Sequence, residues 1–200
     1  MFLVLTGTSF AGKSTMQKSM VDLEHLCSKK VKTFKTCTTR KKRRYEKQMS
    51  VEALPYHFLS EEEFAKTIKA KEFFEYVTIN KGEHDDYYGS RYADISDAVA
   101  SEEFLYVAVF EPEGATKIKE QFPESVVVFI APPSISELIR RAEIRNTETM
   151  ADVRARIERV ENIELKYADT FDFKVVNVDK DKCFTEICNY ITNHINKNNI

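Results

Sequence analysis

The chain is 200 residues long, 42% hydrophobic and 31% charged, the balance of a soluble globular protein with one full core and room for small inserted subdomains. Its 30 basic and 32 acidic side chains leave a net charge of −2, which names no partner and counts against a nucleic-acid binder. No apolar run approaches the length of a membrane span, and Met1 leads straight into the first strand with no room for a signal peptide, so a cytoplasmic location with no membrane partner is expected. The cysteines Cys27, Cys37, Cys183 and Cys188 show no C-x-x-C spacing and read as reduced core thiols.

Phe2 to Thr6 is mostly apolar and reads as a short buried strand. It runs into Gly7-Thr8-Ser9-Phe10-Ala11-Gly12-Lys13-Ser14-Thr15, which fits G-x-x-x-x-G-K-S/T, the phosphate-binding P-loop pattern. Met16, Met20, Leu23 and Leu26 follow at helical spacing and predict a helix over 16–26. Strand, glycine loop and helix form the context that the pattern requires, which counts against a chance glycine turn. Gly7 and Gly12 let the backbone curl so that N–H groups point at a phosphate, and the helix start adds its positive dipole end. Lys13 supplies a mobile positive charge for the outer phosphates, and Ser14 a hydroxyl for a magnesium ion.

A second strand is predicted over 31–37, followed by the basic run Arg40-Lys41-Lys42-Arg43-Arg44. Three readings compete: a solvated loop, a nucleic-acid or localisation patch, and a phosphate clamp. Its place after a P-loop unit and next to Thr38-Thr39 favours the clamp, for the phosphate of a second substrate. Residues 46–54 read as a surface loop and 55–59 as extended chain. Ser60 with Glu63 forms a capping box for a helix whose Phe64 and Ile68 face inward. Residues 73–79 alternate like a strand that contains Glu75 and Tyr76. A buried glutamate is costly unless bonded, and whether Glu75 faces the interior or solvent is open. A polar turn is expected at 80–86, with Ser90 capping a helix over 91–100.

An apolar strand at 104–110 ends at Glu111-Pro112-Glu113-Gly114, before a helix at 115–121. Residues 126–130 form a β-branched run typical of a strand buried on both faces. Ser134 and Glu137 make a second capping box. The helices expected at 135–145 and 149–168 carry Arg140, Arg141, Arg145, Arg154, Arg156 and Arg159. They read either as solvated helices with i,i+4 ion pairs or as a mobile arginine-bearing lid. Residues 173–176 are a last buried strand ending at Asn177, and Phe184, Ile187, Ile191 and Ile195 form the stripe of a closing helix that frays from Asn196. Apolar strands alternating with helices imply a mostly parallel sheet covered on both faces.

The ordered set of P-loop, T-T-R-x-x-R at Thr38–Arg43, Y-x-F at Tyr56–Phe58, E-F-x-E-Y at Glu72–Tyr76, Y-Y-G-S at Tyr87–Ser90, F-I-A-P-P-S at Phe129–Ser134 and V-V-N at Val175–Asn177 resembles guanylate kinase over residues 2 to 190. The resemblance implies an α/β fold: a P-loop NTPase-type parallel sheet flanked by helices, with an inserted mixed α+β nucleoside-monophosphate-binding subdomain and a helical lid. The core would comprise 1–35, 96–133 and 165–200, the acceptor-binding subdomain 36–95 and the lid 134–164. It also implies transfer of the γ-phosphoryl of ATP to GMP or dGMP with Mg2+, by a monomer or homodimer.

Carried over by position, the resemblance assigns Gly7, Ser9, Ala11, Gly12, Lys13, Ser14 and Thr15 to ATP, with Ser14 also on the metal. Arg141 and Arg145 join them from the lid, and Asn177 falls near the adenine. Arg40, Arg43, Tyr56 and Tyr88 would hold the acceptor's phosphate, Thr36, Glu75 and Ser90 its guanine, and Glu111 its neighbourhood. Lys13, Arg40, Arg141, Arg145 and Arg156 would carry the catalysis. The sequence departs from the family pattern at Val109 and Glu111, where Asp-x-Asp is usual, at Phe10, where a glycine is usual, and at Arg44-Tyr45, where a small turn is usual. The loops at 47–55 and 80–87 are longer than typical. Those departures motivate an alternative, a kinase of a different or modified nucleoside monophosphate. A catalytically silent guanylate-kinase-like interaction module is the third reading, against which the complete P-loop stands.

Overall fold

Six consecutive buried residues, Phe2–Gly7, form the strand β1 at the centre of the fold. The computed structural model describes residues 1–198 except 52–53, 82–83 and 146–149, and leaves the side chains of 79–81, 84–85, 145, 152 and 198 outside the description. After β1 come α1 (Lys13–Val21), β2 (His25–Leu26), β3 (Lys29–Thr33), β4 (Cys37–Thr38), β5 (His57–Phe58) and α2 (Glu61–Lys69). They are followed by β6 (Phe73–Lys81), β7 (His84–Arg91), α3 (Tyr92–Ala100), β8 (Phe104–Val109), α4 (Pro112–Gln121) and β9 (Val126–Ala131). The chain ends with α5 (Ile135–Arg145), α6 (Met150–Asn162), β10 (Phe173–Val176) and α7 (Lys180–Asn198). It divides into two units, Met1–Lys32 with Ser101–Ile200, and Thr33–Ala100.

The first unit is built on a six-stranded sheet of order β10-β9-β1-β8-β3-β2. β1 runs parallel to β8 and β9, and β10 parallel to β9. Such strands need crossover helices, so both sheet faces are covered. On one face Leu3, Leu5, Val128 and Ile130 share a core with Met16 and Met20 of α1 and Ile187 and Ile191 of α7. The alternate residues Phe2, Val4, Val127 and Phe129 are equally buried, and α4 packs on β1 and β9. A separate cluster of Leu138, Ala142, Val153, Ile157 and Val160 joins α5 to α6. The second unit has a four-stranded sheet of order β5-β4-β7-β6. Cys37, Phe64 and Phe73 pack at its centre, and α2 supplies Phe64. The capping box of α2 forms as expected: the Glu63 N–H donates to Ser60 Oγ at 3.1 Å and the Ser60 N–H to Glu63 Oε2 at 2.7 Å.

Several elements differ from the sequence expectation. The first helix stops at Val21 rather than running to 26, because Glu24 takes a φ of 60° and turns the chain into the β2–β3 hairpin. Leu23 is therefore exposed, and Leu26 belongs to a strand. The strand expected over 31–37 is two strands in two sheets, β3 and β4. The expected polar turn at 80–86 is mostly paired hairpin, with Asn80 opposite Asp85 and Lys81 opposite His84. Backbone hydrogen bonds hold such a ladder without apolar side chains, so the hydropathy pattern missed it. Ser90 does not cap α3: it lies inside β7 with its side chain buried. Only half of the second capping box forms. The Glu137 N–H donates to Ser134 Oγ, but the Glu137 carboxylate turns to Arg140 and Arg141. The helix expected over 149–168 ends at Asn162, with a 3-10 turn at Glu164–Tyr167, and α7 continues to Asn198.

The α7 stripe yields a direct test. Ile187→Ala, in a fully buried site, should cost about 2–5 kcal/mol of unfolding free energy in denaturant titration. Val178→Ala, at a site 70% exposed, should stay within about 0.5 kcal/mol.

Candidate functional site

Each unit carries its own group of the residues singled out by sequence. In the first, the β1–α1 loop curls at Gly7 (φ 133°) and Gly12 (φ 103°). A Cβ on Gly7 would stand 2.1 Å from the Ile130 carbonyl oxygen, and one on Gly12 would stand 2.6 Å from Asn177 Nδ2. Neither position admits a side chain. The loop rims a cavity of about 770 Å³ whose wall includes Ser9, Lys13, Ser14, Thr15, Arg141 and Asn177, a volume that suits a nucleotide-sized ligand. Lys13 donates to the carbonyls of Gly7 and Thr8 at 2.8 and 3.1 Å. Burial pushes its pKa down, opposed by the nearby Glu111 and Glu164 carboxylates.

Three tethers hold the loop. Asn177 Nδ2 donates to the Ala11 carbonyl at 2.7 Å. Arg141 donates to Ala11 O at 3.4 Å and to Asn177 O at 2.6 Å, while Glu137 orients it through Nε at 2.8 Å. Glu164, fully buried, accepts the Ser9 N–H at 2.8 Å and Arg159 Nε at 3.2 Å. Arg156 lies 5.8 Å from the centre of the Phe10 ring. That ring lines the cavity and also packs against the α5–α6 cluster, although Phe10 adopts a φ of 60°. A left-handed non-glycine residue costs about 1–2 kcal/mol, which this packing offsets. Glu111, grouped by sequence with the acceptor residues, lies 3.9 Å from Lys13 Nζ in this first unit. The Arg145 side chain lies outside the described residues.

In the second unit, strand register does the positioning. Glu75 stands opposite Ser90, and Tyr88 opposite both Val77 and Thr38. Directly paired residues share a sheet face, so Glu75, Tyr88 and Ser90 lie together on one face. Glu75 is half-buried. The other face carries Cys37 against the Phe64 and Phe73 core. Gly89, between Tyr88 and Ser90, has a reason of its own: a Cβ there would stand 2.9 Å from the Phe73 ring. Thr36 is half-buried, and its main-chain carbonyl accepts the His57 N–H of β5 at 2.9 Å.

The basic run is not a solvated face at Arg40. Its guanidinium is fixed by Glu46 at 3.0 and 2.8 Å and lies 5.3 Å from the rings of both Tyr56 and Phe58. Tyr56 meets Tyr88 edge-on at 5.9 Å. Arg43 donates through Nη1 to Tyr45 OH at 3.2 Å. The Arg40 guanidinium holds the Glu46 carboxyl down at about 2. Its contribution to stability is therefore present above about 4.5 and is lost as pH falls through about 2.

Glu46 and Glu164 are the site residues that sequence reasoning missed. The sole signal for Glu46 was an acid three residues beyond Arg43 in a basic run. Glu164 reaches Ser9 across 155 residues of chain, which no local pattern reveals. Glu164→Ala should leave the Ser9 amide and Arg159 without their shared acceptor and cost about 1–3 kcal/mol in denaturant unfolding. A cost below 0.5 kcal/mol would show that the tether does not hold the loop.

With that geometry in hand, comparison with known proteins is direct. The family model described as guanylate kinase matches residues 1–194. Guanylate kinase from Prochlorococcus marinus is 33% identical over 189 residues, covering 94% of this chain and 95% of that one. The Mycoplasma genitalium guanylate kinase is 35% identical over 185 residues, 92% of this chain and 72% of that one. The crystal structure of guanylate kinase from Anaplasma phagocytophilum superposes with a TM-score of 0.62 at 23% identity, over 98% of this chain and 85% of that one, a likeness of fold. The chain belongs to the guanylate kinase family.

Proposed function

We propose that this protein transfers the γ-phosphoryl group of ATP to GMP or dGMP, giving GDP or dGDP. The observation that carries the reading is the pairing of a complete P-loop cradle in one unit with an arginine clamp and a Glu75–Ser90 pair in the other. In this reading Gly7, Ser9, Ala11, Gly12, Lys13, Ser14 and Thr15 surround the ATP phosphates, and Asn177 with Arg141 keeps the loop in shape. Arg40, Arg43, Tyr56 and Tyr88 hold the acceptor's phosphate. Glu75 takes the adjacent N1–H and N2–H donors of guanine, with Thr36 and Ser90 supporting the base. Adenine lacks that donor pair, so the carboxylate selects against AMP. Arg141, Arg145 and Arg156 meet the charge that develops on the transferring group. Residues 134–164 act as the lid that excludes water.

The oxygen donors around the P-loop suit Mg2+. The Ser14 hydroxyl and the Glu111 carboxylate line the cavity, and the Thr8 hydroxyl is buried with no hydrogen-bond partner among the described residues. Among the described residues no cluster of three His, Cys, Asp or Glu side chains stands ready to hold a metal; magnesium at a nucleotide takes most of its ligands from phosphate and water oxygens. Ser14 would hold the ion, which when bound neutralises charge on the phosphate oxygens. The enzyme would work in the cytoplasm as a monomer or homodimer. Among the described residues no helix is long and apolar enough to cross a membrane.

Val109 and Glu111 favour a second reading, in which the acceptor is a modified nucleoside monophosphate, because Val109 lacks the hydrogen-bonding carboxylate usual there. A panel of nucleoside monophosphates with ATP and Mg2+ in a coupled assay separates the two. GMP or dGMP should give the highest kcat/KM, and a better rate with any other acceptor would replace the first reading by the second. Within the first, Glu75→Gln should lower kcat/KM for GMP by about 5–150-fold, about 1–3 kcal/mol, because one acceptor becomes a donor facing a donor. Unchanged kinetics would remove Glu75 from base recognition.

A further inference from the structure

The acceptor-phosphate clamp has a buried organiser, and this inference rests on the reading of Arg40 and Arg43 as that clamp. A guanidinium carries five N–H donors in fixed directions. On Arg40, Nη1 gives one to the Lys41 carbonyl at 2.9 Å. The Glu46 carboxylate takes two more end-on, from Nη1 at 3.0 Å and from Nη2 at 2.8 Å. The two donors left over, on Nε and on the outer side of Nη2, point in parallel along the side edge of the group. That edge matches two oxygens of a phosphate. The rings of Tyr56 and Phe58, each 5.3 Å from Cζ, limit tilt of the guanidinium plane.

The same carboxylate reaches the second arginine. Glu46 Oε2 accepts the Arg43 backbone N–H at 2.6 Å, which fixes where that side chain leaves the chain. Tyr45 OH lies 3.5 Å from Glu46 Oε1 and 3.2 Å from Arg43 Nη1. The Glu46 side chain is 1% exposed and that of Arg40 10%, so the pair sits in a fixed, largely desolvated frame. Its charge alone works against a phosphate ligand, since two anions repel. A carboxylate at this position therefore helps acceptor binding only through geometry.

We propose that Glu46 is the positioning residue of the acceptor-phosphate site: it occupies the end of the Arg40 guanidinium so that the side edge is presented to the phosphate, and it anchors the backbone of Arg43. The positioning and the repulsive effects predict opposite signs. Removing a repelling charge tightens binding, whereas releasing the clamp weakens it.

The test is steady-state kinetics of Glu46→Gln, Arg40→Lys and the double variant with GMP, together with guanosine as a competitive ligand that carries the base without the phosphate. Glu46→Gln should raise the KM for GMP tenfold or more, leave the KM for ATP unchanged and leave guanosine binding within twofold. In the Arg40→Lys background, where no fork remains to be oriented, the Glu46 substitution should lose most of its effect on KM. Glu46→Asp, which keeps the charge and shortens the reach, should fall between wild type and Glu46→Gln. An unchanged or lowered KM for GMP in Glu46→Gln would overturn the proposal. So would an equal loss of guanosine affinity, or full additivity in the double variant. If Glu46→Gln does not fold, the Asp variant carries the same comparisons. Should Arg40→Lys itself leave the KM for GMP unchanged, the clamp reading fails. Should Arg40→Lys raise it while Glu46→Gln does not, only the present inference fails.

Discussion

The backbone curl between β1 and α1 is the constraint on which the first unit depends. It exists because Gly7 and Gly12 adopt φ values of 133° and 103° with other atoms pressed against their Cα positions. The curl is held from outside by side chains far along the chain. Asn177 and Arg141 take the Ala11 carbonyl, and Glu164 takes the Ser9 amide. These residues come from the end of β10, from α5 and from the turn after α6. The parallel sheet brings those three places together, so a packing solution dictated by buried strands is also what shapes the glycine loop.

A second theme runs through both units: arginines are held by carboxylates. Glu137 clamps Arg140 and Arg141, Glu46 clamps Arg40, and Glu164 receives Arg159. A flexible arginine loses rotamer entropy when it binds a phosphate, and an arginine already fixed by a carboxylate has lost that freedom in advance. The arrangement costs some Coulomb attraction for the ligand in return for geometry. In the proposed function, phosphoryl transfer depends on alignment more than on covalent chemistry, and arginines fixed in this way would serve it.

What could be read from the sequence was local. The P-loop, the Ser60–Glu63 cap and the β-branched run at 126–130 each depend on residues a few positions apart, and each appears as expected, the strand running one residue further to Ala131. The α/β class followed from them. Two of the failures bear on the candidate site. The strand at 73–79 was legible, but the polar end of the β6–β7 hairpin at 80–86 looked like a turn, because ladder hydrogen bonds leave no hydropathy signature. The carboxylates that hold the site, Glu46 and Glu164, look like surface residues until the fold encloses them. Phe10 shows the same limit. Its departure from glycine was visible, but not that its ring would be absorbed into the α5–α6 core.

The most direct test of the account is Lys13→Met, examined for both folding and turnover. Lys13 Nζ touches only loop carbonyls and the distant Glu111 carboxylate among its described partners, so the fold should survive its loss. An unfolding midpoint close to that of wild type and loss of GMP-dependent ATP consumption are expected. Retained turnover in a folded Lys13→Met variant would contradict it and place the phosphate cradle elsewhere.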